Sequence, residues 1–173
     1  MASPNSKLRL LGDPILRKST ETVTVFDSEL KDFVDAMSDA LYEENGLGLA
    51  APQVGDSRKI VIIDLSFGEE VENTLPLINP EFISREGECV MEEGCLSIPG
   101  IFEGVSRPEK IRVRYQDITG ATYEIEADGL LARIIQHEMD HLEGILFIDH
   151  LSPVKKMLLS KTLREISEGN GTV

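Results

Sequence analysis

His137-Glu138-Met139-Asp140-His141 combines two imidazoles and a carboxylate at a spacing that suits metal chemistry. On a helix, residues four apart project from one face, so both histidines can reach a single tetrahedral ion while Glu138 lies beside its open position. Leu130, Ile134, His137 and His141 fall at i, i+4, i+7 and i+11. Leu131, Ile135, Glu138 and Leu142 make the adjacent stripe, so the histidines and Glu138 point inward with the leucines. Arg133, Gln136, Asp140 and Glu143 take the opposite face. A buried carboxylate without a partner is costly, and water activated by a metal is a natural partner for Glu138. The alternative is a pair of core histidines that satisfy backbone groups.

A catalytic site of this type takes three protein ligands and a water, and the soft candidates elsewhere are Cys89, Cys95 and His150. Sequence spacing does not choose among them. Local chemistry favours Cys95, because in Glu93-Gly94-Cys95-Leu96-Ser97 the glycine leaves backbone room for a metal or substrate. Cys89 has no such setting and reads as a small buried hydrophobe with a free thiol. His150, beyond the end of the helix, reads as a surface or packing residue. A third feature is Gly46-Leu47-Gly48-Leu49-Ala50-Ala51-Pro52-Gln53. Its glycines serve as a helix stop and turn, or as backbone that hydrogen-bonds an extended peptide. The Gln53 amide can donate to an oxyanion developing on a hydrolysed carbonyl.

These residues need elements to position them. Asp13-Pro14 predicts a single turn to Lys18. Leu30, Phe33, Val34, Met37 and Leu41 recur at helical spacing and predict an amphipathic helix over 28–44, stopped by Gly46. Ile60 to Ile63 and Leu75 to Ile83 are β-rich. Ile111, Val113 and Tyr115 alternate before the turn Asp117-Ile118-Thr119-Gly120, and Tyr123 and Ile125 resume after it, which predicts a hairpin. A helix over about 128–143 carries the histidines and stops at Gly144; another opens at Ser152-Pro153 and continues to about Ser167. Strands grouped between helices indicate an α+β fold with mainly antiparallel sheets around the histidine-bearing helix, closed by a C-terminal helix.

With 173 residues, 41% of them hydrophobic, the chain is expected to be a single domain over 1–173, with a frayed tail from about 168. No apolar run reaches the roughly 18 residues of a membrane span, and a soluble, cytoplasmic protein is expected. Thirty-one acids against 17 bases give a net charge of −14, which argues against DNA binding over the whole surface. Two cysteines six apart form neither a disulfide framework nor a CxxC pair. The sign of charge reverses locally: Lys155, Lys156, Lys161 and Arg164 fall within ten residues that hold no acid. With Val154, Met157, Leu158 and Ile166 facing the core, that basic set would lie in solvent.

Together, GLGLAAPQ at 46–53, EGCLS at 93–97 and QHEMDHL at 136–142 resemble the three signature motifs of the peptide deformylase family, in order and in spacing. The similarity runs from Gly-Asp-Pro-Ile-Leu-Arg at 12–17 to Leu-Phe-Ile-Asp at 146–149. The resemblance implies removal of the formyl group from N-formyl-methionyl nascent peptides. It assigns Cys95, His137 and His141 to the metal and general acid–base chemistry to Glu138, and it gives the formyl oxygen to the Gln53 amide and the Leu96 backbone N–H. It places the backbone of Gly46, Leu47, Gly48 and Gly94 along the substrate as an added strand, with Leu130 and Ile134 lining the methionine pocket. Zn, Fe(II), Co or Ni all suit a Cys/His/His set; the resemblance points to Fe(II). Gly100-Ile101-Phe102 departs from the basic residue that many bacterial members carry after the second motif.

Two other readings share these residues. A zincin-like metallopeptidase would take its third ligand downstream, from Glu143 or His150. A structural metal module would need a fourth protein ligand such as Cys89 or His150. For the basic helix, the sharper reading beside a solvated face is docking on ribosomal RNA near the tunnel exit.

Overall fold

The computed structural model describes residues 7–169. The frayed tail expected from about 168 therefore lies largely outside the described residues. Pro14–Arg17 forms a single 3-10 turn capped by Asp13, as the sequence predicts. Helix α1 (Ser28–Glu43) is capped by Asp27, which accepts from the Leu30 amide at 3.0 Å, and buries its predicted stripe of Leu30, Phe33, Val34, Met37 and Leu41.

Strands β1 (Gly48–Ala50), β2 (Ile60–Asp64), β3 (Thr74–Glu86), β6 (Lys110–Gln116) and β7 (Thr122–Asp128) form an antiparallel sheet in the order β1-β2-β3-β6-β7. The β6–β7 hairpin closes at Asp117, whose carboxylate accepts from the Thr119 amide and hydroxyl and from the Ala121 amide. β2 is buried along its whole length and apolar from Ile60 to Ile63, because both of its faces are covered. Ile60 and Ile62 meet the α1 stripe, while Val61 and Ile63 meet helix α2 (Gly129–Leu142).

β4 (Cys89–Cys95) and β5 (Ile98–Arg107) pair as a separate antiparallel hairpin that the sequence reading left unassigned. Its hydrophobicity does not follow its burial, since Val90 on β4 is exposed while Glu93 is buried, and Gly94, Pro99, Gly100 and Gly104 interrupt it. This hairpin changes the environment of α2. Arg133 and Gln136, assigned to the outer face, are only 5% and 3% exposed. The hairpin and the segment after it cover that face, and Gln136 donates to the Pro108 carbonyl at 2.9 Å. Gly144 follows with φ +70°, where an added Cβ would lie 2.7 Å from the Arg17 carbonyl. That close approach is sealed by Arg17, which donates to the Gly144 carbonyl and to both Asp149 carboxylate oxygens. The two ends of the resemblance, 12–17 and 146–149, thus meet in space.

Helix α3 (Pro153–Ser167), capped by Ser152, docks on a different face from the one expected. Val154, Met157 and Leu158 are 62%, 67% and 75% exposed, whereas Ile166 is buried and Leu159 and Leu163 pack beside it. The seam runs through 159, 163 and 166, a narrow stripe at i, i+4, i+7 against β5 and the Phe147–His150 turn. Cys89 is also corrected: it is half-buried at the start of β4, not enclosed in the core. Among the described residues, no helix is long and apolar enough to cross a membrane.

Candidate active site

The central position of α2 delivers His137 and His141 to the end of β4, where Cys95 stands. One ligand atom from each of Cys95, His137 and His141 lies within 4.8 Å of the others. Cys95 Sγ and His141 Nε2 are 3.4 Å apart. His137 Nδ1 is 2.8 Å from Glu93 Oε1, which leaves Nε2 facing the cluster, and its ring stacks on Phe147 at 6.0 Å. A thiol with two imidazoles, two of the three groups buried, is the donor set of a three-ligand tetrahedral site. Two buried polar atoms at this place, Glu138 Oε2 and His141 Nδ1, have no hydrogen-bond partner among the described residues. An unpaired buried acceptor costs about 1–3 kcal/mol, more if charged. A polar group bound beside Glu138 offsets that cost, so the residues present fit a metal site.

Burial dominates the electrostatics. It pushes Glu138 up to about 7, opposed by the charge of His137. Burial also pushes Glu93 up, but hydrogen bonds from His137 and Arg107 prevail and hold it well below the usual carboxylate range. Burial pushes His137 down, yet its hydrogen bonds to Cys95 and Glu93 lift it well above the ordinary imidazole value. His141 moves well below that value, through burial and then the charge of His137. A carboxyl poised near neutrality beside such a cluster suits proton transfer at physiological pH.

A cavity of about 570 Å³ opens in front of these groups. Gly46, Leu47 and Gly48 form one wall and Gly94 the other, with Leu96, Leu130, Ile134, His137 and Glu138 also lining it. β1 is an edge strand of its sheet. Gly48 has to be glycine here, because a Cβ would stand 2.7 Å from Glu138 Cγ and 2.9 Å from Ile134 Cγ2. Gln53 is 1% exposed; its Oε1 accepts from the Ala50 amide at 2.9 Å, which aims Nε2 toward Ser97 Oγ at 3.1 Å and Cys95 Sγ at 3.6 Å. Residues from all three motifs therefore line one cavity, and His141 meets it through the ligand-atom cluster with Cys95 and His137. Cys89 and His150 stand apart: His150 is exposed on the Phe147–His150 turn, and its Nε2 is 2.7 Å from Asp140.

Sequence reasoning missed Glu93, Arg107, Arg133 and Asp140. Arg107 donates to both Glu93 oxygens and to Asp140, and Arg133 donates to Glu93 as well. One signal was available: Glu93 precedes Cys95 by two residues, so on a strand both face the same side. The arginines gave none, since a charged residue in a mixed sequence reads as surface.

An HExxH helix that meets a cysteine at the floor of a cleft with a free strand edge defines a hydrolase of the amide-cleaving kind. Residues 6–157 match the family model for polypeptide deformylase, and the chain belongs to the peptide deformylase family. These are hydrolases that remove the N-formyl group from nascent peptides. The chain is 47% identical over 154 residues to the peptide deformylase of Acidobacterium capsulatum, covering 89% of this chain and 91% of that one. The structure is similar to a Plasmodium falciparum peptide deformylase with a TM-score of 0.90 at 39% identity, covering 94% and 96% of the two chains. A Legionella pneumophila peptide deformylase gives 0.87 at 41% identity, covering 95% and 96%.

Proposed function

We propose that this chain hydrolyses the formyl amide of N-terminal formyl-methionine with one divalent ion held by Cys95, His137 and His141. The carrying observation is the cluster of those three ligand atoms within 4.8 Å beside the buried, partly unpaired carboxylate of Glu138. When bound, such an ion supplies Lewis-acid activation of water and of the carbonyl, and Fe(II) is the proposed ion, with Zn, Ni or Co as substitutes. Glu138 takes the proton from the attacking water and passes it to the leaving amine. The Gln53 amide, aimed by Ala50, and the Leu96 N–H hold the developing oxyanion. Gly46, Leu47, Gly48 and Gly94 hydrogen-bond the peptide as an added strand, and Leu130 and Ile134 receive the methionine side chain.

The zincin-like alternative draws less support. Glu143 and His150 are exposed and outside the cluster, and His150 is engaged by Asp140. Cys89 also stands outside it, so the structural-module reading lacks its fourth ligand among the described residues. Assay of the metal-loaded protein on formyl-Met peptides and on unblocked peptides separates these readings: formate release from the first alone is expected, and internal cleavage of the second sinks the proposal. Gly48→Ala is expected to lower kcat/KM at least about tenfold with the fold intact, since the new methyl displaces Glu138, and tenfold corresponds to 1.4 kcal/mol. A parent-like rate would show that Glu138 accommodates it.

We further propose that the protein works in the cytoplasm and docks on the ribosome through α3. Lys155 pairs with Glu103 at 2.9 Å and Lys161 with Glu165 at 4.0 Å, but exposed pairs contribute only about 0–1 kcal/mol and exchange readily for phosphate. Lys156 and Arg164 form no ion pair among the described residues. Ribosome co-sedimentation at low and moderate salt, with the parent and a variant carrying glutamine at all four positions, is expected to show salt-sensitive binding by the parent alone. Equal binding by both removes the proposal.

A further inference from the structure

Arg133 belongs to α2 and stands one turn before His137, yet its guanidinium leaves the helix for the β4–β5 hairpin. Nη1 donates to Glu93 Oε2 at 2.8 Å and to the Val105 carbonyl at 2.7 Å, and Nη2 donates to the Cys89 carbonyl at 2.7 Å. One side chain, 5% exposed, thereby joins the helix that carries two ligand histidines to both strands of the hairpin that carries Cys95. Glu93, its ionic partner, is two residues from Cys95 and accepts from His137 Nδ1.

We propose that Arg133 is a positioning residue that fixes the separation between the two halves of the ligand set, Cys95 on β4 and the histidine pair on α2, and so governs how tightly the ion is held. This rests on the metal-binding reading above. Arg107 does not duplicate the role. It lies on the hairpin itself, grips Glu93 through two nitrogens, and touches α2 only at Asp140 near the helix end. Without Arg133, the carboxylate that orients His137 is tied to α2 only by His137 itself and, through Arg107, by Asp140 near the helix end, and the Val105 and Cys89 carbonyls lose their arginine donor. The planar fork matters as well as the charge: three acceptors on two strands need two nitrogens held in one plane, which a lysine ammonium does not supply.

The test uses the full chain loaded with Co(II), whose thiolate charge-transfer and d–d bands report ligand geometry independently of catalysis. Parent, Arg133→Met and Arg133→Lys are compared by absorption spectrum, by Co(II) release to a chelator, and by thermal melting of the metal-free protein. Loss of an outer partner of a ligand typically weakens metal affinity 10–100-fold. Arg133→Met is expected to release Co(II) within that range with an altered charge-transfer band, and Arg133→Lys to fall between it and the parent. Val105→Ala is the control: it removes buried apolar contact from the same hairpin while keeping its carbonyl and Glu93. It is expected to lower the melting temperature and leave the spectrum and release rate unchanged.

Parent-like spectrum and release in Arg133→Met overturn the proposal, as does metal loss in Val105→Ala equal to that in Arg133→Met. If Arg133→Met fails to fold, Arg133→Lys decides on the same criteria. A parent that binds no stoichiometric Co(II) refutes the metal-binding reading instead, which keeps the two failures distinct.

Discussion

Glu138→Gln is expected to keep the fold and the metal while lowering kcat for deformylation by about 10²–10⁴-fold, the usual contribution of a positioned acid–base group. The carboxylate is 5% exposed and raised to about 7 by burial, and one of its oxygens has no partner among the described residues. Glutamine reproduces the shape against Gly48 and Ile134 but cannot accept the proton. Single-turnover formate release with metal content measured on the same sample checks this. A variant within about tenfold of the parent would mean that proton transfer runs through another group. Because the amide carries no charge, the burial penalty on this site falls, and the variant is expected to be at least as stable to heat as the parent.

Alanine at Cys95, His137 or His141 is expected to abolish stoichiometric metal binding and to cost about 10³-fold or more in kcat/KM. Lewis-acid activation is worth several kcal/mol, and each 1.4 kcal/mol is a factor of ten. Cys89→Ala is the matched control, with full metal and full activity, because its half-buried thiol lies outside the cluster. Elemental analysis after gel filtration decides the point. Full metal in Cys95→Ala would dismantle the ligand assignment, and loss in Cys89→Ala would favour a structural site. His137→Ala carries a second expected effect. It removes one partner of Glu93, leaving that carboxylate to Arg107 and Arg133, so its stability should fall less than that of a variant in which a buried charge loses every partner.

The deeply periodic segments were legible because burial writes its period into the sequence. The α1 stripe from Leu30 to Leu41, the apolar run of β2, the alternation of β6 and β7 around Asp117, and the caps Asp27 and Ser152 all fold as local patterning requires. The histidine spacing likewise specified one face of α2, and Gly94 marked Cys95 as the better of two cysteines. The amphipathic period failed in two places, each for a tertiary reason. α2 is enclosed on nearly every side, so Arg133 and Gln136 are buried by partners that are remote in sequence. In α3, apolar residues lie on more than one face, and only docking against β5 and Phe147 selected Leu159, Leu163 and Ile166 over Val154, Met157 and Leu158. The sequence by itself thus determined the periodic elements, though not the β4–β5 hairpin, and it named the candidate reactive groups. Tertiary structure alone decided which cysteine meets the histidines, and which arginines hold Glu93 against His137, because those contacts are set by the crossing of a hairpin over a helix and carry no periodicity along the chain.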